Sequence, residues 1–155
     1  MIDKHDHSMR PAPCVTISCA HDLGLVMAMA ASLRVNCTVV SPPGAGCVMG
    51  VPWWVALVTD CPLPALLDCG QAAGHAAAAL RAGLGGVIAH VPAAQHRALV
   101  SLAQVTGGHI MAQRPASLDL PLRGAGHVLE QYLRAHAMPG AVRHPDGGIG
   151  SIRHD

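Results

Sequence analysis

Three short constellations in this 155-residue sequence carry side chains able to do chemistry. The first is Leu67-Asp68-Cys69-Gly70, an apolar run that ends on a carboxylate and a thiol. At a strand end Asp68 can serve as a general acid or base, or as a ligand. Asp is equally suited to cap the N-terminus of the helix that starts at Gln71. The second constellation is Cys69 with Cys19 and His90. A Cys2His set suits zinc with an open fourth position, provided the strands ending at these residues are neighbours. Buried cysteines more commonly fill space. The third is Ser41-Pro-Pro-Gly-Ala-Gly46, a Gly-containing loop after a strand, whose amides can hold an anion at a helix N-terminus. It lacks the Gly-Lys-Ser/Thr of a phosphate-binding P-loop. The candidate catalytic group is therefore Asp68, the candidate ligand-binding groups are Ser18, Ser41, Gly44 and Arg114, and the candidate zinc ligands are Cys69, His90 and Cys19.

These residues share one property: each sits at or just beyond the end of a short apolar run. Cys14-Val-Thr-Ile-Ser18, Cys37-Thr-Val-Val-Ser41, Ala65-Leu-Leu-Asp-Cys69, Gly86-Val-Ile-Ala-His90 and His109-Ile-Met-Ala-Gln113 read as strands. They start about 21 to 28 residues apart, the spacing of one strand plus one crossover helix. His21-Asp22 opens a helix through Leu33. Pro52 opens another at Trp53 to Val58, and an Ala-rich helix over 71–81 stops at Gly83. Pro92 starts a helix to about Val105, and an amphipathic helix covers 126–136. Continuous rather than alternating apolar strands mean that both sheet faces are covered. The expected fold is α/β, a five-stranded parallel sheet with crossover helices, either a truncated (β/α) barrel or an open doubly wound sheet. In both shapes ligands bind beyond the carboxyl ends of the strands. Residues 1–12 read as a flexible leader, 13–136 as a single domain and 137–155 as a disordered tail.

Composition narrows the function classes. Charged residues are only 12% and hydrophobic ones 51%, a surface so poor in charge that self-association or a partner subunit is expected. The net charge is +1, with no basic stripe or stacking platform, which argues against nucleic acid. The uncharged stretch from Val35 to Thr59 is long enough to span a bilayer, but Pro42, Pro43, Gly44, Gly46, Gly50 and Pro52 break it, so no membrane is expected. Six cysteines without a CxxC pair and a polar first decade, MIDKHDHSMR, point to a reduced, cytoplasmic protein. No GxGxxG follows the first strand and no GxSxG occurs.

The run His21-Asp-Leu-Gly-Leu, continuing to Ala-Ala-Ser-Leu-Arg-Val-Asn-Cys-Thr-Val-Val-Ser-Pro-Pro-Gly-Ala-Gly46, resembles the first βαβ unit of class II fructose-bisphosphate aldolases. In that family an Asn-Leu-Glu-type helix start leads to a strand ending in Ser-Pro-Gly. Leu67-Asp68-Cys69-Gly70, followed by Ala79-Leu80-Arg81-Ala82-Gly83, is similar to the family's third strand, Leu-Asp-His-Gly and a helix ending in Ala-Gly. Gly86 to His90 falls at its fourth strand. The resemblance spans about residues 14–113, some five of eight barrel units. It implies that Asp68 matches the proton-transferring Asp and that Cys69 replaces the first zinc-ligand His. The family's remaining ligands and phosphate loops lie on later strands, which this chain lacks. The resemblance therefore implies a degenerate aldolase-like domain that binds a small molecule, such as a phosphorylated metabolite, or a subunit without full catalysis. The alternative is a small metal-dependent lyase using Asp68 with Cys69 and His90.

Overall fold

The computed structural model describes residues 12–137. The leader, but for its last residue, and the tail beyond Ala137 lie outside the described residues. Six strands form one parallel sheet: β1 (Cys14–Thr16), β2 (Thr38–Val40), β3 (Ala65–Asp68), β4 (Gly86–Ile88), β5 (His109–Met111) and β6 (Leu118–Asp119). Their order is β5-β4-β3-β2-β1-β6, and every neighbouring pair is parallel. The sheet is open, with β5 and β6 at its edges. The sixth strand is the addition to the expected five. It pairs Leu118 with Val15 and Asp119 with Thr16, and so satisfies backbone groups on the outer edge of β1.

Among the described residues six helices accompany the strands: α1 (Ala20–Leu33), α2 (Ala45–Val48), α3 (Val51–Val58), α4 (Ala73–Arg81), α5 (Ala93–Thr106) and α6 (Ala125–His136). From β1 to β5 each step moves one place in the same direction. Right-handed crossovers then place the intervening helices on one face. Alternation along the strands shows it. Val15, Ile17, Val39, Leu67, Val87 and Ala89 share a core with Val26, Trp54, Ala76, Leu80, Leu99, Leu129 and Leu133 of the helices. Each fully buried aliphatic side chain there contributes about 1.5–3 kcal/mol. With Phe absent from the chain, Trp54, fully buried, is the largest core side chain. The uncharged stretch is divided among β2, a turn, α2 and α3. Among the described residues no helix is long and apolar enough to cross a membrane.

The opposite face carries Cys14, Val40, Leu66 and Ile88, packed with Met111. Among the described residues it has no second layer of helices. The connection from β5 to β6, residues 112–117, runs across it instead, because its ends belong to opposite edges of the sheet and its side chains bond to β1, to the turn after β2 and to β3. The four residues of this face are 0–7% exposed. Among the described residues, what crosses this face is the strap.

Candidate functional site

The strap places one cation against the carboxyl ends of three strands. Asp68 is the last residue of β3, and its side chain lies on the strap face, since successive strand residues alternate sides. Its Oδ1 accepts the Gly70 N–H at 2.8 Å, an Asx-type turn. Gly70 has φ +57°, which a side chain would strain. Oδ2 accepts from Nη1 of Arg114 at 3.0 Å. The Asp68 and Arg114 side chains are 7% and 21% exposed. The helix-cap reading of Asp68 does not describe this arrangement: α4 begins after Ala72 with no side-chain cap.

The same guanidinium ties in β2 and, beyond it, β1. Nη1 also donates to the Ser41 carbonyl at 2.7 Å, and Nη2 donates to Thr16 Oγ1 at 3.2 Å. Thr16 Oγ1 is in turn 2.9 Å from Ser117 Oγ, farther along the strap. Ser41, fully buried, accepts the Asp68 N–H on its Oγ at 2.9 Å and donates to the Pro42 carbonyl at 3.1 Å. One arginine therefore joins β1, β2 and β3 through main-chain and side-chain oxygens. Charge-assisted bonds of this kind are the stronger class.

Beside this network opens a cleft of about 460 Å³, lined among others by Gly44, Asp68, Gly70, His90, Gln113 and Arg114. The His90 N–H donates to the Gly70 carbonyl at 2.7 Å, which fixes the end of β4 against the loop after β3. A hollow of similar size, about 480 Å³, lies at the opposite ends of the strands. Its lining includes Cys61 and His109 but no carboxylate, lysine or arginine, so it lacks the chemistry gathered at the first.

Of the sequence candidates, the structure brings together Asp68, Ser41, Gly44, Arg114 and His90. It does not bring in Cys69, Cys19 or Ser18. Cys69 follows Asp68 and so points to the helix side, where it is fully buried. A Cβ placed on Gly46 of α2 would lie 2.6 Å from its Sγ, so only glycine allows α2 to approach this closely. Burial first, then the Cys47 and Asp68 charges, push the Cys69 thiol up to about 12. Cys19 is the exposed N-cap of α1. Ser18 gives both its N–H and its hydroxyl to Asp22 Oδ2 at 3.1 Å, in the first turn of α1. Among the described residues no group of three His, Cys, Asp or Glu side chains is placed to hold a metal ion. The sequence reading missed Thr16, Ser117 and Gln71, the last of which also lines the cleft. Thr16 carried a usable signal: it lies on the same strand face as Cys14, two residues away.

No protein-family model matches this chain, and neither a curated protein nor a solved structure matches it.

Proposed function

We propose that this is an aldolase-like α/β domain that binds a small phosphorylated metabolite in the cleft at the carboxyl ends of β2 to β4, and does not turn it over. One observation carries the reading. Both oxygens of Asp68 are engaged, one by the Gly70 N–H and one by Arg114, so the carboxylate is committed to structure rather than free to move a proton. Arg114 spends both Nη1 protons on Ser41 and Asp68 and one Nη2 proton on Thr16. Its Nε–H and second Nη2–H have no acceptor among the described residues, and Arg114 forms part of the cleft wall. Those donors, with His90 and Gln113, suit an anionic group. The resemblance to the first half of the class II aldolases supports the same place for a ligand. The metal-dependent lyase reading draws no support from the geometry, since Cys69 and His90 point to opposite faces of the sheet. Self-association belongs to the proposal as well: Val48, Val105 and Leu122 are exposed apolar groups, and the mass in solution measures it.

The test is a titration of isotope-labelled protein with a short-chain sugar phosphate, followed by amide NMR. Saturable shifts confined to Gly44, Gly70, Gln71, His90 and Gln113 support the reading. Shifts scattered over the surface, or none at millimolar ligand, overturn it, and carbon–carbon cleavage of the added sugar overturns its non-catalytic part.

A further inference from the structure

Two cysteines outside the proposed binding network stand against each other. Cys47 is exposed, in the single turn of α2, and its Sγ donates to the carbonyl of Cys69 at 3.0 Å. The neighbouring residue, Gly46, is so close to Cys69 that a Cβ there would lie 3.3 Å from the Cys69 Cα and 2.6 Å from its Sγ. The backbones of the two segments are therefore in contact at Gly46, and the Cys47 sulfur already reaches the main chain of Cys69. Gly44 and Gly50 flank α2 with φ of +68° and +87°, so the turn that carries Cys47 is hinged at both ends by residues that tolerate a change of backbone angle.

We propose that Cys47 and Cys69 are a redox pair that closes to a disulfide on exposure to a hydroperoxide and reopens with a dithiol. The exposed Cys47 sulfur attacks one peroxide oxygen. The O–O bond breaks, Cys47 becomes a sulfenic acid, and the departing hydroxide takes the Cys47 thiol proton and leaves as water. The Cys69 sulfur then attacks the Cys47 sulfur. The S–O bond breaks, the S–S bond forms, and the hydroxyl departs with the Cys69 proton as a second water. In sum two thiols are oxidised, one hydrogen peroxide is reduced, and two waters form. Because Cys69 is buried, the peroxide meets Cys47 first and Cys69 acts as the resolving thiol. The bond links the loop after β2 to the loop after β3, the segments that carry Gly44 and Gly70 at the cleft.

The experiment treats the full chain with hydrogen peroxide, counts free thiols, blocks them, and digests with chymotrypsin, which cuts at Trp53 and Trp54 between the two cysteines. The expected result is a fall from six free thiols to four, a linked peptide pair two hydrogens lighter than its parts, and full reversal by dithiothreitol. Cys47→Ser, at an exposed position, is expected to keep its remaining thiols free under the same dose. Cys69→Ala is expected to stop Cys47 at the sulfenic acid, trapped by dimedone. A link between other cysteines, such as Cys37 and Cys61, or an equal loss of thiols in Cys47→Ser, overturns the proposal.

Discussion

Replacing Arg114 by Met removes the guanidinium while keeping most of the apolar stem. The carboxylate of Asp68, 7% exposed, then keeps a single bond, from the Gly70 N–H at 2.8 Å. The Ser41 carbonyl loses its 2.7 Å bond and Thr16 its 3.2 Å bond. Breaking a buried pair by removing one partner costs about 3–5 kcal/mol, because the remaining charge is stranded. Arg114 is 21% exposed, so water can reach part of the vacated space and the lower end applies, about 3 kcal/mol. Adding Asp68→Asn removes the stranded charge while its amide oxygen still accepts from Gly70. The double variant is expected to recover about half of the loss. Urea unfolding followed by the fluorescence of Trp53 and Trp54 reads both changes. If Arg114→Met unfolds within about 0.5 kcal/mol of the parent, a change typical of a neutral surface position, the strap is not clamped by this cation. A double variant no better than the single one refutes the stranded-charge reasoning.

Alkaline pH is expected to unfold the domain through its buried thiols. Cys14 is pushed up to about 11, and Cys37 and Cys69 to about 12, from an ordinary 9.0, in each case chiefly by burial. Above pH 9 the unfolded chain releases these protons and the folded chain keeps them, so stability is intact below pH 9 and falls as pH rises towards the folded values. Each thiol contributes about 1.4 kcal/mol per pH unit, and urea midpoints that stay flat from pH 8.5 to 10.5 under reducing conditions count against this. Gly46→Ala places a methyl 2.6 Å from Cys69 Sγ and 3.2 Å from the Asp68 carbonyl. It should cost about 1–3 kcal/mol, with Cys69→Ala giving partial rescue in thermal unfolding. Tyr132→Phe deletes a hydroxyl that donates to the Cys14 carbonyl and accepts its N–H, each at 3.1 Å. A loss of about 1–2 kcal/mol is expected, and an unchanged melting temperature would contradict it.

The parallel sense of β1 to β5 was legible because each of the first four apolar runs ends in a turn and is followed by a helix-length segment; their order across the sheet was not. β6 was not, since Leu118–Asp119 is two residues with no apolar run and exists only because β1 offers it an unpaired edge. The four-residue α2 was hidden in the same way within a Gly- and Pro-rich loop. Asp68 and Arg114 were both nominated from strand ends, but their pairing across 46 positions depends on the strap, which no local pattern announces. The lyase set, Asp68 with Cys69 and His90, could have been doubted from the sequence. Asp68 and Cys69 are consecutive on a strand, so their side chains must face opposite sides of the sheet, and only one of them can join a given pocket.

The central claim, that the cleft beside Arg114 takes an anionic metabolite, is tested most directly by calorimetric titration of a short-chain sugar phosphate into the parent protein and into His90→Ala/Gln113→Ala. Both substituted positions are exposed, so the fold is retained. The account predicts one-to-one saturable heat in the parent and a roughly tenfold or greater loss of affinity in the variant, the loss of about 1.4 kcal/mol of binding energy. No heat with the parent, or equal affinity in both proteins, contradicts it.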